Sequence, residues 1–203
     1  MKDYPSIPKT LKRDGETLFI FDKLDGSNLR FEWSAKRGWY KYGTRNHLFD
    51  ETDECFGVAI PKFHEMLAEP IDKIARANKW DSLVVFAEFW GEGSFAGKHK
   101  PEETKTLSLF DAAIYKKGIL GPDDFLKTFG DLPIAKFLGK HAWTPEFVES
   151  IRTGEFPGIS FEGVIGKGGT GHELRMVKAK TQAWMDKVST VYTPEQATAL
   201  LRS

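Results

Sequence analysis

Lys23 is the residue in this sequence that is best placed to act as a nucleophile. It ends an apolar segment and precedes Asp25 and Gly26, and an Asp-Gly pair between two apolar segments predicts a tight turn of the kind found in hairpins. A free lysine amine is protonated at neutral pH, so it attacks an electrophile only where desolvation or a neighbouring cation favours its neutral form. A lysine used in this way stores an activated group covalently on its nitrogen.

Two further lysines could supply the positive field that such a nucleophile needs. Lys178 and Lys180 are two residues apart on a predicted strand, so their side chains should share one face of the sheet. Fixed cations that converge on one point stabilise negative charge that develops in a transition state. Alternating lysines are also typical of a solvated strand face, and a bound divalent metal could supply the same field.

Two glutamates lie in apolar surroundings. Glu88 interrupts the apolar segment 82–90, and Glu162 precedes Gly163 at the start of another apolar run. An outward-facing strand position would explain Glu88. The histidines show no zinc-binding spacing, and we predict no metal role for them: His47, His64, His99, His141 and His172.

Five segments carry these residues in a specific order. They are KLDGSN at 23–28, FAEFWG at 86–91, LFDA at 109–112, FEGVIGK at 161–167 and MVKAK at 176–180. Their order resembles the nucleotidyltransferase motifs of the covalent nucleotidyltransferase superfamily, which comprises ATP-dependent RNA and DNA ligases and mRNA capping enzymes. The resemblance spans most of the 203 residues.

The resemblance implies a role for the residues around the phosphates. Lys23 would attack the α-phosphorus of ATP and expel pyrophosphate, with Asp25 and Gly26 beside it in the nucleotide-binding motif. Lys178 and Lys180 would converge on the α-phosphate, where negative charge builds up in the transition state.

Four more residues receive roles from the same resemblance. Glu162 would bind the metal ion, Mg²⁺ with Mn²⁺ as a substitute. Phe110 would stack on the purine and Glu88 would contact the ribose. Arg45, in the segment YGTRN at 42–46, would grip phosphate. Without the resemblance, Phe110 would be assigned to the core and Arg45 to a solvated hairpin.

The elements that must position these residues follow from periodicity and turn residues. Strands are predicted at 18–23, 28–34, 38–43, 82–90, 105–115, 160–166 and 173–179. Helices are predicted at 61–78, interrupted or kinked by Pro70, and at 122–129, 145–153 and 194–202. This mixture favours an α+β domain with antiparallel sheets flanked by helices, and the resemblance implies a nucleotidyltransferase (ATP-grasp-like) ligase adenylation domain.

Length and composition favour one domain over residues 1–203. No repeat or linker marks a boundary, and residues 181–203 predict a short helical tail rather than an OB-fold barrel. With one cysteine, Cys55, the chain cannot form an internal disulfide. The N-terminus has no apolar leader and no apolar stretch approaches the roughly 18 residues of a membrane span, so we predict a cytoplasmic protein, of viral or phage origin or otherwise.

The missing OB-fold favours an RNA ligase of the phage RNA ligase 2 type. Such an enzyme joins 5′-phosphate and 3′-hydroxyl ends through lysyl-AMP and an adenylated 5′ end. In the present chain, 29 basic residues balance 29 acidic ones and provide no overall positive field. Nucleic acid must therefore be bound by local patches or with help from a partner protein. The alternatives are a minimal DNA ligase, a guanylyltransferase that uses GTP, and a non-catalytic nucleic-acid-binding module.

Overall fold

The computed structural model describes residues 4–11, 14–100 and 102–202. Contacts divide the chain into two compact units. One comprises Met1–Tyr4, Gly26–Ala135 and Thr170–Glu173, and the other comprises Pro5–Asp25, Lys136–Gly169 and Leu174–Ser203. We name them the six-stranded unit and the four-stranded unit, after their sheets. The single domain over 1–203 stays a prediction.

Strands and helices are mixed along the described part of the chain. The strands are β1 (Thr17–Lys23), β2 (Ser27–Ser34), β3 (Gly38–Gly43), β4 (Leu48–Phe49), β5 (Ser82–Gly91), β6 (Lys105–Ile114), β7 (Gly118–Ile119), β8 (Phe137–Ala142), β9 (Gly163–Gly168) and β10 (Arg175–Lys180). The helices are α1 (Ala59–Phe63), α2 (Glu69–Ala77), α3 (Pro122–Phe129), α4 (Pro145–Thr153), α5 (Gln182–Val191) and α6 (Pro194–Arg202).

The four-stranded unit is an antiparallel sheet with the order β10-β9-β1-β8. Its apolar core lies on one side of the sheet and includes the inward-facing residues Leu18 and Ile20 of β1 and Ile151 of α4. Helix α4 begins where the Thr144 hydroxyl accepts a hydrogen bond from the Phe147 backbone amide. The polar side chains of the same strands are not part of this apolar core and can make other contacts.

The six-stranded unit is a second antiparallel sheet, with the order β4-β3-β2-β5-β6-β7. Alternate residues of β2 face a helix, and the ring of Phe31 stacks on Phe63 of α1 with 3.9 Å between centroids. The indole nitrogen of Trp33 donates a hydrogen bond to Asp72 of α2, at 2.6 Å. Burial of this aromatic row fixes the helix on one face of the sheet.

A π-helical segment, His64–Ala68, joins α1 to α2 directly before Pro70. Proline has no backbone N–H, and its ring would collide with the carbonyl four residues earlier, which here is that of Met66. The wider π-helical turn accommodates the proline without ending the helix. The interruption predicted at Pro70 is therefore a local change of helix type within 59–77.

The predicted strands and helices are confirmed with small shifts of their ends, but a predicted hairpin was wrong, and β8 and the two-residue strands β4 and β7 were missed. The hairpin suggested by Asp25-Gly26 does not form, because β1 and β2 belong to different sheets. Strand β8 was missed, because its sequence FLGKHA lacks β-branched residues. The α+β class with antiparallel sheets and helices is confirmed. In the described part of the chain, no helix is long and apolar enough to cross a membrane.

Candidate active site

The amines of Lys23 and Lys180 meet on one carboxylate. The Lys23 Nζ donates to Glu162 Oε2 at 2.7 Å, and the Lys180 Nζ lies 3.1 Å from Glu162 Oε1. Lys180 and Glu162 are buried, whereas 23% of the Lys23 side chain is exposed. Lys23, the nucleophile predicted from the sequence, therefore has access to solvent. Its charged neighbours Lys180 and Glu162 are shielded from solvent.

Strand register determines this geometry. Gly163 of β9 pairs with Lys23 of β1 on one side and with Lys180 of β10 on the other. Glu162 directly precedes Gly163, so its side chain emerges between the two lysine-bearing strands. A Cβ at position 163 would lie 2.0 Å from the Ala179 carbonyl oxygen, and the residue has φ +149°. Only glycine permits the close approach of these strands.

Lys178 adds a third amine to the group. It is buried on β10, two residues before Lys180, and its backbone amide donates to the Pro8 carbonyl at 3.0 Å. Burial, reinforced by the charges of Lys180 and Lys23, lowers the pKa of the Lys178 amine to about 8. The sequence predicts that Lys178 and Lys180 share one face of the sheet near Lys23. The effect of the Lys180 and Lys23 charges on the Lys178 pKa is consistent with that prediction.

Lys180 has several partners besides Glu162. Burial lowers the pKa of its amine, while the Glu162 carboxylate acts in the opposite direction. The amine lies 3.9 Å from the ring centroid of Trp184 and donates to the Leu200 carbonyl at 3.1 Å. Lys9 donates to the neighbouring carbonyl of Leu201. The carbonyls at the end of α6 carry partial negative charge and thus partly neutralise these cations.

Asp25 is connected to this group by the first turn of α5. The indole nitrogen of Trp184 donates to Asp25 Oδ2 at 2.6 Å. Thr181, the residue that caps α5, donates its hydroxyl to the Phe161 carbonyl at 2.7 Å and its backbone amide to the Glu162 carbonyl at 2.9 Å. The segments that contain Asp25, Glu162 and Lys180 are therefore all bonded to one helical turn.

The six-stranded unit holds the other predicted residues. Phe110 is the additional residue of a β-bulge, because Asp111 pairs with Phe86 and Leu109 with Ala87. A bulge redirects a side chain relative to regular alternation. Leu109 and Asp111 are buried, whereas Phe110 is partly exposed. Phe110 is therefore more accessible than the core position that its sequence alone would suggest.

Tyr4 is a buried residue of the six-stranded unit that contacts Phe110 and Asp111. Its ring packs 5.1 Å from that of Phe110, and its hydroxyl donates to Asp111. Burial, followed by the Asp111 charge, raises the pKa of Tyr4; the Glu88 charge acts in the same direction and the Arg45 charge opposes it. Phe110 therefore contacts this buried tyrosine, and the charges of Glu88 and Arg45 act on it.

Arg45 and Gly26 occupy connecting segments of this unit. Arg45 is exposed in the turn between β3 and β4, where the Thr44 amide donates to the His47 carbonyl at 2.8 Å. Gly26 lies against β5, and a Cβ there would be 2.4 Å from the Phe89 carbonyl oxygen. Close backbone approach, rather than a hairpin, explains this glycine.

Sequence reasoning missed Trp184, Thr181 and Tyr4. Trp184 follows Lys180 by four residues, a spacing that brings a helix residue back toward the start of its own helix. That spacing, together with the Thr181 cap, was a usable signal for Trp184. Tyr4 had none, because it contacts Asp111 across 107 positions of the chain.

Glu162 is a side chain of this site that could help to hold a divalent cation. Among the described residues, no group of three or more His, Cys, Asp or Glu side chains could hold a metal. Mg²⁺ at phosphate-transfer sites is commonly bound by one or two carboxylates together with substrate oxygens and water. A single glutamate is compatible with that mode, so Glu162 would hold such an ion jointly with a substrate.

Comparison with known proteins gives a consistent result for the fold. No protein-family model and no curated protein match the sequence. Solved structures do match, among them an archaeal ATP-dependent RNA ligase, with 17% identity and a TM-score of 0.64 over 91% of this chain and 50% of that chain. A second form of the archaeal ligase gives 19% identity and a TM-score of 0.63 over 98% of this chain and 56% of that one.

A structure from another organism gives a similar result. A mutant of the Naegleria gruberi RNA ligase with ATP and Mn has 18% identity and a TM-score of 0.63, over 91% of this chain and 59% of that chain. The chain therefore shares its fold with part of these RNA ligases, and it spans 50–59% of their length.

Proposed function

We propose that this chain is an ATP-dependent RNA ligase that works through adenylation of Lys23. The observation that carries the proposal is the Lys23–Glu162–Lys180 arrangement, in which a solvent-accessible lysine at a strand end meets a buried carboxylate and a buried second lysine. The fold shared with solved RNA ligases supports the same assignment.

The first step forms a bond between Lys23 and AMP. The amine loses a proton, its nitrogen attacks the α-phosphorus of ATP, and the bond from that phosphorus to the bridging oxygen breaks to release pyrophosphate. Lys178 and Lys180 stabilise negative charge that builds on the phosphoryl oxygens. Burial of both amines strengthens this effect, because there is less water to screen them.

Glu162 holds Lys23 in place before that step. Its carboxylate keeps the Lys23 amine at 2.7 Å and the Lys180 amine at 3.1 Å. Lys23 must exchange this contact for the phosphorus as it reacts. A divalent cation bound by Glu162 and the triphosphate would supply positive charge to phosphate oxygens.

Two later steps complete the ligation. A 5′-phosphate oxygen attacks the phosphorus of lysyl-AMP, the N–P bond breaks, and the lysine nitrogen regains a proton. A 3′-hydroxyl then attacks the 5′ phosphorus of the adenylated end, AMP leaves, and a phosphodiester forms. Phe110, Glu88 and Arg45 take the roles in purine, ribose and phosphate binding that the motif resemblance implies. We further propose that the chain acts in the cytoplasm. A partner protein would add nucleic-acid-binding surface.

Intact mass spectrometry tests the proposal directly. The wild-type protein and Lys23→Ala are incubated with ATP and Mg²⁺ and with pyrophosphatase, which removes the product pyrophosphate. We expect a gain of one AMP in the wild type alone. Lys140→Ala, which removes an exposed lysine of the same sheet, is the matched control and should still gain AMP. No gain in the wild type would contradict the proposal.

Substrate choice separates the remaining alternatives. Replacing ATP with GTP tests for a guanylyltransferase, which would gain GMP instead. Offering nicks whose 3′-hydroxyl end is RNA or DNA distinguishes an RNA ligase from a minimal DNA ligase, because only that end changes. A non-catalytic binding module would gain no nucleotide, and its nucleic-acid binding would be unchanged in Lys23→Ala.

A further inference from the structure

Trp184 is a buried residue that the ligation chemistry above does not use. It lies in the first turn of α5, is 2% exposed, and has both a ring face and an N–H directed at site residues. Its ring is 3.9 Å from the Lys180 amine, and its indole nitrogen is 2.6 Å from Asp25 Oδ2. One side chain thus contacts both ends of the predicted motif set.

We propose that Trp184 is a positioning residue for the adenylation step, which orients the Lys180 amine with its ring and holds Asp25 with its N–H. This inference rests on the proposed function. Lysine is a flexible side chain on a four-carbon stem, and an amine must point in one direction to stabilise a transition state. A ring face beneath that amine restricts its position without removing its charge.

The backbone around Trp184 is anchored in the same region. The Trp184 amide donates to the Thr181 hydroxyl at 3.1 Å, and Thr181 is itself bonded to the carbonyls of Phe161 and Glu162. Glu162 in turn contacts the Lys180 amine. The amine is therefore restrained by a ring on one partner and by a carboxylate on another, and both partners are tied to one helix cap.

The proposal separates two functions of the indole. Trp184→Phe retains a ring over Lys180 but removes the N–H to Asp25, whereas Trp184→Leu removes both. Trp184→Met has about the same side-chain volume as the leucine variant, but its unbranched side chain adapts to irregular gaps, so it replaces the leucine variant if that variant does not fold. Trp143→Leu is the matched control, because Trp143 is also a buried tryptophan of the four-stranded unit but packs in its apolar core.

The experiment measures the rate of AMP transfer to Lys23 at a series of ATP concentrations, together with the thermal unfolding of each variant. We expect Trp184→Leu to lower the rate at saturating ATP about 3- to 30-fold, the range expected from loss of a desolvated cation–π contact. The KM for ATP should change by less than about twofold, because the lost contact acts mainly in the transition state. Trp184→Phe should recover most of the rate.

A double-mutant cycle identifies the partner. If Trp184 acts through Lys180, Trp184→Leu should change the rate by less than about twofold in a Lys180→Ala background. An equal loss in both backgrounds would overturn the proposal, as would a Trp143→Leu variant with the same kinetic defect. Equal losses in the leucine and phenylalanine variants would overturn the assignment of the ring to Lys180.

Failure of the underlying function would look different. A wild-type protein that gains no AMP contradicts the ligase proposal, and with it this inference. A wild type that gains AMP while every Trp184 variant keeps its rate contradicts the inference alone.

Discussion

The four-stranded unit and the six-stranded unit differ in what surrounds their predicted site residues. In the four-stranded unit, the amines of Lys23 and Lys180 and the carboxylate of Glu162 are in direct contact, with Lys178 close enough for their charges to shift its pKa. In the six-stranded unit, Phe110 and Glu88 lie near the buried ring of Tyr4. Concentrated charge suits phosphoryl chemistry, and exposed aromatic surface suits binding of a base.

Residues assigned to one reaction therefore lie in different physical environments. Lysines that stabilise a transition state gain from burial, although burial disfavours their own charged form. An aromatic ring that stacks on a base must instead remain accessible. Variants in the first unit should therefore impair chemistry, and variants in the second should impair nucleotide binding.

Removal of a buried lysine should give the largest effect. We expect Lys180→Ala to lower the rate of AMP transfer at saturating ATP by about 10²- to 10³-fold, a loss typical of deleting one group that stabilises transition-state charge. Lys178→Ala should act in the same direction. Single-turnover measurements by mass spectrometry test this, with Lys140→Ala as control. A loss confined to the KM for ATP would contradict the division between the two units.

Two buried carboxylates, one in each unit, provide a matched pair. Glu162→Ala leaves the amines of Lys23 and Lys180 without their shared partner, and Glu32→Ala does the same to Arg30 and Lys41. Each should lower the free energy of unfolding by about 3 kcal/mol, the lower end of the range for breaking a buried ion pair. Urea denaturation measures this.

Activity should distinguish the same two variants. Only Glu162→Ala is expected to lose AMP transfer under conditions in which both proteins are folded. If Glu32→Ala lost AMP transfer equally, the charges of the four-stranded unit would have no special part in the chemistry.

Phe110 provides a test of the six-stranded unit. Because Phe110 is partly exposed at a β-bulge, Phe110→Ala should raise the KM for ATP about tenfold, in the lower part of the range of roughly 1–3 kcal/mol for loss of a base stack. The rate at saturating ATP should remain within about threefold of wild type. Phe137→Ala, which removes an exposed ring of the four-stranded unit, is the control and should leave KM unchanged. A tenfold fall in the saturating rate of Phe110→Ala would contradict the assignment to binding.

A further expected effect is a dependence of stability on pH. The pKa of Lys178 is lowered to about 8 in the folded protein, below that of an unfolded lysine. Below pH 8 the amine is charged in both states, and its burial destabilises the fold. Between pH 8 and the unfolded pKa the unfolded state binds more protons, so this destabilisation fades as pH rises.

Lys178→Met isolates this contribution. The variant should be more stable than wild type at pH 7, and the difference should shrink by pH 10. Denaturation curves at pH 7, 8, 9 and 10 measure it, with Lys140→Met as the exposed control. A stability difference that grew with pH would show that the sign of the Lys178 contribution is the opposite.

The sequence predicted the strands that carry Lys23, Glu88, Phe110 and Lys180, because their apolar patterns and turn residues are local. It failed at Asp25-Gly26, where the glycine is required by the backbone of β5 rather than by a hairpin. Such a requirement is non-local and leaves no periodic signal.

The candidate site was predictable to a similar extent. Motif order indicated Lys23, Glu162, Lys178 and Lys180, whose grouping follows from strand register. Trp184 was not predicted, because its importance depends on two contacts that only the folded helix brings together. Tyr4 was not predicted because its partner, Asp111, is distant in sequence.

Gly163 limits the spacing of the strands that carry Lys23, Glu162 and Lys180. Its missing side chain lets β10 lie close to β9, and the separation of the Lys23 and Lys180 backbones is then two strand spacings, roughly 9.6 Å. At that separation, the Glu162 carboxylate contacts both amines. Gly163 therefore limits the distance between the two strands, and any larger residue there would increase the distance between Lys23 and Lys180 that Glu162 has to span.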